Sequence, residues 1–392
     1  MRRLRLFLTI ILFAGTGAAY TQPYYFRHYQ VENGLSNNSV FCSVQDKNGF
    51  MWFGTKDGLN RFDGYRFKTL HINAGNVISL TNDHITALAL DQHGVLWVGS
   101  KKGLLWFDGP NERLVPLIDT LPEINEVFID NLDRIWFISG YTVYAFEPKS
   151  KRLIRFAPEQ YFFATSLFAQ DGYIWISSLN GYLHRLNPKT RAFTSFNVFA
   201  HSPKASSDNI EKIVYENGSI FIGTTSQGLK QFNIQTNTYK DLLIHNPDKT
   251  AIFVRDIIQS GESEFWVATE SGIYILNTIT GNTTQLKKKY LNPYSLSDNA
   301  VYTLYKDKEG GIWAGTYFGG VNYFPKQYST FQKYFPDYSG HSISGSAVRE
   351  ICKDASGNIW IGTEDAGLNK LETKTGKITR FEPTGLSTSI AY

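Results

Sequence analysis

The chain has 392 residues, of which 15% are aromatic, with two cysteines, two methionines and a formal net charge of +4. That balance of aromatics and methionine argues against a helical bundle and fits sheets packed on sheets. Three of the positive charges are Arg2, Arg3 and Arg5; the remainder is near neutral, which speaks against nucleic acid as a partner, and two cysteines make no disulfide framework.

Residues 1–19 read as a secretory signal peptide. The arginines are followed by an apolar run, Leu6 to Ala14, and by the small residues Gly17, Ala18 and Ala19, with cleavage expected near Ala19. The run is too short to anchor the chain in a bilayer, and no cysteine sits at the cleavage site to take a lipid. Cys42 and Cys352 both fall in first-strand positions of the repeats described next, where buried free thiols are the expectation. Residues 25–30 look like a fourth strand without its own first three.

From residue 39 onward the chain repeats. The stretch GFMWFGTKDGLNRF (49–62) returns, with changes, around Trp97, Trp136, Trp175, Phe221, Trp266, Trp313 and Trp360, at steps of 39 to 47 residues. A period of about 40–50 residues built from short strands marks a β-propeller, one four-stranded antiparallel blade per repeat. Each unit has an apolar-rich first strand, an Asp-x-x-Gly turn, and a second strand carrying the aromatic and ending in Gly-Thr or Gly-Ser. A tight x-x-Gly-Leu turn, a third strand and a more polar fourth strand follow. The recurring aromatics are read as rings wedged between blades that cannot bury their apolar area alone. Repeats three and four lose Gly-Thr and shorten.

The expected organisation is a first propeller over 20–326, of seven blades, with the N-terminal strand completing the last, and a truncated second propeller starting at 327–392. A single eight-bladed ring is the alternative. The second-to-third turns and the joints between blades should emerge on one face. That face would carry Lys56, Asp57, Lys101, Lys102, Tyr317, Phe318, Glu364 and Asp365 as candidate ligand contacts.

The pattern D-x-x-G-x-h-W-h-G-T-x-x-G-L resembles the two-component regulator propeller repeat. Residues 29–36 (YQVENGLS) and 52–64 (WFGTKDGLNRFDG), with 315–324 and 349–369, look like the periplasmic region of Bacteroidetes hybrid two-component sensors. That resemblance implies tandem seven-bladed propellers, an immunoglobulin-like domain, one transmembrane helix and a cytoplasmic histidine kinase. It also implies recognition of glycan breakdown products, control of polysaccharide-utilisation genes, and a homodimer at full length. The residues present carry no kinase motif, so the region itself is expected to bind and signal rather than catalyse.

Other chemistry is thinly represented. The eight histidines include no pair at zinc-helix spacing, so neither metal nor cofactor is expected. Residues 223–230 (GTTSQGLK) have phosphate-loop glycines, but a Leu stands where the Lys belongs. Glu364 with Asp365, or Asp57, would suit acid–base work on a sugar. A propeller lyase or glycoside hydrolase, and a protein-binding scaffold, are therefore the alternative readings.

Overall fold

One carboxylate organises each first hairpin. In the repeat around Trp52, one oxygen of Asp46 accepts the backbone N–H groups of Asn48 and Phe50, at 2.9 and 3.0 Å. The other accepts the Trp52 indole N–H at 2.9 Å. Asp91, Asp130, Asp307 and Asp354 hold Trp97, Trp136, Trp313 and Trp360 in the same way. The spacing D-x-x-G-x-x-W is thus a single device, a turn cap and a side-chain anchor sharing one group.

The second turn has its own clamp. The Thr55 hydroxyl donates to the Gly58 carbonyl at 3.0 Å and accepts the Asp57 N–H at 3.1 Å. Ser100, Thr269 and Thr316 repeat the arrangement. Gly58 itself sits at φ +92°, and a Cβ there would lie 2.9 Å from the Leu70 carbonyl oxygen; only glycine takes that turn without strain.

The computed structural model describes residues 24–72, 83–118, 121–157, 162–200, 207–326, 332–337 and 340–383. The expected signal peptide and the end of the chain from 384 lie outside them. The described residues form eight four-stranded antiparallel sheets and almost no helix. Sheet one comprises Val40–Gln45, Met51–Thr55, Gly58–Phe62 and Phe67–Leu70. The first strands of the next six sheets are Ile85–Leu90, Ile124–Ile129, Ala164–Gln170, Ile210–Glu216, Val254–Gln259 and Val301–Lys306. Each contacts the one after it, and Val301–Lys306 contacts Val40–Gln45, so the series returns to its start. Sheet seven supplies three strands of its own and takes Arg27–Tyr29 as its fourth, antiparallel to Val321–Phe324.

The core lies between sheets. Trp52 packs with Ile85, Leu96, Val98 and Leu105 of sheet two, and Trp313 with Met51, Phe53 and Phe62 of sheet one. The glycine two residues after each aromatic sets how closely sheets approach. A Cβ on Gly99 would sit 2.9 Å from Ile124 Cγ2, and one on Gly315 would sit 2.7 Å from Val40 Cγ1. Sheet three inverts the sizes: Ile138 occupies the glycine position, and Ala164 stands where its counterparts are Val or Ile, both in one buried cluster. The loss of Gly-Thr in repeat three is therefore a size exchange across an interface.

The eighth sheet comprises Val348–Lys353, Ile359–Thr363, Gly367–Leu371 and Ile378–Phe381. Its first strand is exposed throughout. Around Gly362, the counterpart of Gly99, nothing among the described residues comes nearer to a Cβ than 3.8 Å. Residues 332–337 form no strand. The two cysteines are unpaired. Cys42 is half-buried, but Cys352 is exposed, because it lies on that uncovered strand, and the expectation of a buried thiol fails there.

Two stability tests follow from this packing. Replacing Asp130 by Ala strands the buried Trp136 N–H and should lower unfolding free energy by about 1–3 kcal/mol in denaturant titration. Gly99→Ala should destabilise by about 1–3 kcal/mol, and adding Ile124→Ala, which copies the Ile138/Ala164 exchange, should recover part of that loss.

Candidate ligand-binding mouth

Six of the seven first strands of the closed series carry a β-bulge at the same place, and in sheet four the shift is wider, between Ala164 and Leu167. The register with the second strand shifts between Val40 and Cys42, Ile85 and Ala87, Ile124 and Glu126, Ile210 and Lys212, Val254 and Asp256, and Val301 and Thr303. A bulge sets two residues against one and re-aims their side chains. Here it brings consecutive residues to one central cavity of about 470 Å³ lined from all seven sheets. Its lining includes Phe41 and Cys42, Asn125 and Glu126, Glu211 and Lys212, Arg255 and Asp256, and Tyr302 and Thr303.

The charges inside are matched in pairs. Lys212 reaches past sheet four to Glu126, whose other oxygen accepts the Leu167 N–H at 3.0 Å. Burial alone would push Lys212 down; Glu126 and Asp256 outweigh it and hold the ammonium protonated. Asp256 is pushed up by burial against the pull of Lys212, and accepts the Leu304 N–H at 2.9 Å. Arg255 binds Glu211 at 2.9 Å and Glu270 through Nε at 2.8 Å, and donates to the Tyr302 hydroxyl at 3.1 Å. Its guanidinium lies 3.8 Å from the Phe253 ring centroid and 4.4 Å from that of Tyr302.

At the mouth, the residue after each Thr or Ser donates its N–H to the residue just before a first strand. Lys56 bonds Ser39, Lys101 bonds His84, Leu179 bonds Phe163, Thr225 bonds Asn209, Glu270 bonds Phe253, and Tyr317 bonds Ala300. Aromatic rings gather over sheets seven, one and two. Tyr302 stacks on Tyr317 at 5.2 Å, Tyr317 meets Phe318 edge-on at 4.4 Å, and Phe41 meets His84 at 4.4 Å. Phe318 is 71% exposed. A second exposed pair, Tyr141 and Phe163, meets edge-on at 5.7 Å.

Of the residues expected from sequence, none is among those lining the cavity; Lys56 and Lys101 lie near its His84, Tyr317 packs on its Phe41 and Tyr302, and Phe318 packs on Tyr317. Lys102 turns instead to Asp83, and Asp57 lies 4.0 Å from His71, so both face the outer part of their blades. Glu364 occupies the position of Glu270, but on sheet eight, where it pairs with Arg349 as Glu270 pairs with Arg255. Glu364 and Asp365 are therefore not part of the seven-sheet mouth. Sequence reasoning missed the bulge residues Glu126, Glu211, Lys212, Arg255 and Asp256, and the Tyr141–Phe163 pair. Charged residues inside otherwise apolar first strands were the available signal. No cluster able to hold a metal ion occurs among the described residues.

The family described as two component regulator propeller matches residues 34–57, 79–102, 295–318 and 342–365. Four stretches of the chain are two-component regulator propeller repeats. Over 84 residues, 21% of the chain and 6% of the relative, it is 37% identical to histidine kinase P4 of Formosa agariphila. It is similar to the crystal structure of the extracellular domain of a hybrid two component system from B. thetaiotaomicron, at 28% identity and a TM-score of 0.69. That likeness covers 91% of this chain and 49% of the other. A second such extracellular domain from B. thetaiotaomicron shares the fold at 20% identity and a TM-score of 0.68, over 93% and 48% of the two chains. The chain thus spans about half the length of these structures and far less of the kinase. The repeats matched are those with both the Asp–Trp anchor and the Gly-Thr clamp, apart from sheet two, where Ser100 replaces Thr.

His84 and His184 give the ring a measurable acid response. Burial, joined at His84 by Lys101 and Lys56, lowers each to about 4. Between about 6.5 and 4 the unfolded chain binds protons that the folded one does not, so stability falls as the pH falls through that window. A His84→Gln, His184→Gln double variant should lose less melting temperature than the parent between pH 7 and pH 4.

Proposed function

We propose that this chain is the ligand-sensing propeller region of a hybrid two-component sensor, exported to the periplasm. In this reading the mouth recognises an oligosaccharide, and the propellers relay its arrival to a transmembrane histidine kinase that controls polysaccharide-utilisation genes. The observation that carries the reading is the mouth itself: half-buried Tyr317 packs on Phe41 and Tyr302 of a polar cavity, and exposed rings stand at Phe318 and at the Tyr141–Phe163 pair. Flat apolar faces beside hydrogen-bonding groups are what a sugar ring presents a need for, one face greasy and the edges polar. Similarity to the extracellular domain of a hybrid two component system over 91% of the chain supports the sensor role.

Binding rather than turnover suits the acids present. Glu126, Glu211 and Glu270 are each engaged by Lys212 or Arg255, whereas a glycosidase keeps two carboxyls free to reach the scissile bond. Within this proposal, residues 20–326 form the first propeller and 327–392 begin a second, with the full protein a homodimer. Relay then amounts to a ligand shifting the balance between two poses of the paired propellers.

Calorimetric titration with oligosaccharides from a polysaccharide panel should show saturable binding with no release of reducing ends. Tyr317→Ala should weaken that binding about tenfold, a loss typical of a central aromatic contact. Release of new reducing ends on prolonged incubation would instead identify a hydrolase or lyase.

A further inference from the structure

The charge of the mouth is lopsided. Around sheets three, five and six, cations and carboxylates neutralise one another: Arg255 with Glu211 and Glu270, and Lys212 with Glu126. Over sheets one and two the cations stand alone. Lys56 and Lys101 occupy equivalent places on adjacent blades, and no ion pair joins either to a carboxylate among the described residues; nearby Lys102 is taken by Asp83. Burial, joined by the charges of Lys101 and Lys56, holds the His84 ring on the cavity wall neutral. Beside them Phe41 packs on His84 and, at 5.7 and 6.2 Å, against Tyr302 and Tyr317.

Like charges held on neighbouring turns repel, and the backbone bonds from Lys56 to Ser39 and from Lys101 to His84 fix each turn on its own sheet. An anion placed between them removes that repulsion and gains charge-assisted hydrogen bonds. A neutral His84 ring adds one donor at the same spot without adding a third positive charge. The aromatic platform lies alongside, joined to His84 through Phe41, which meets Tyr317.

We infer that the mouth is selective for acidic oligosaccharides, with a uronate carboxylate or a sulfate seated between Lys56 and Lys101 over His84, and the adjoining ring laid on the Tyr317 and Phe318 platform. The inference rests on the saccharide reading above and narrows it to one class of ligand. It also assigns the two sides of the mouth different tasks. Sheets one and two select charge, sheets seven and one hold the ring, and the Arg255 and Lys212 pairs shape the floor.

The test uses the whole chain and two matched panels. One contains oligogalacturonates and sulfated glycosaminoglycan oligosaccharides. The other contains methyl-esterified oligogalacturonates and neutral oligosaccharides of the same length. An acidic member should bind at least about tenfold more tightly than its neutral counterpart, and raising the salt concentration should weaken it. Lys56→Gln and Lys101→Gln should each weaken it about tenfold, while Lys149→Gln, at an exposed third-to-fourth turn, should not, with unchanged melting temperatures reporting intact folds. Equal or better binding of the neutral members, or indifference to both lysine variants, would overturn the inference while leaving saccharide sensing in place. Failure of every member of both panels to bind would overturn the saccharide reading as well. A carboxylate-only response separates uronates from sulfated sugars.

Discussion

A four-stranded sheet of short strands has two apolar faces and no means of covering both, and that constraint governs the rest of this molecule. The only partner available is the next copy of itself. What makes the partnership specific is the contact between the residue two past each aromatic and the β-branched residue heading the next first strand, as in Gly54 with Ile85 or Gly223 with Val254. Such contacts are non-local in sequence by roughly one repeat, so each sheet stabilises its neighbours rather than itself. The closing contact, Gly315 against Val40, joins parts of the chain far apart in sequence. The pairing of Arg27–Tyr29 with Val321–Phe324 covers the edge that closure by packing alone would leave unpaired.

The fold was legible because its local rules are written in each repeat. Asp, Gly, Trp and Gly-Thr recur at fixed offsets, each doing work that requires that residue type, and the period then implies the architecture. The indole bond to the turn Asp was less visible. Packing was the evident role for Trp, and the spacing of six residues, shared by Asp46–Trp52 and Asp354–Trp360, was the clue that both serve one device. Where repeats three and four depart from the pattern, sequence shows only loss; the compensation by Ala164 lies in the following repeat and emerges only when the two are seen in contact.

The mouth was legible by halves. Turn residues such as Lys56, Lys101 and Tyr317 are recognisable because a turn must reach solvent, and all repeats place that turn on one face. A strand residue gives no such sign. Arg255 and Asp256 are adjacent in sequence, and a regular strand would send them to opposite faces; the bulge overrides that alternation, and nothing in the residues themselves marks where it falls. Asp57 and Lys102, each one residue beyond Lys56 and Lys101, have His71 and Asp83 as partners, which the turn spacing does not reveal.

The bulge has an evolutionary corollary. Of the two residues it turns toward the axis, the second, as at Cys42 and Thr303, packs against the interlocking glycine, whereas the first, as at Phe41, Glu211, Arg255 and Tyr302, is not among that glycine's nearest neighbours and is freer to drift. Aromatic, cationic, acidic and small side chains all occupy that site in different blades of this one ring. Duplicated genes could therefore rewrite specificity blade by blade, keeping a common chassis while diverging in what they detect.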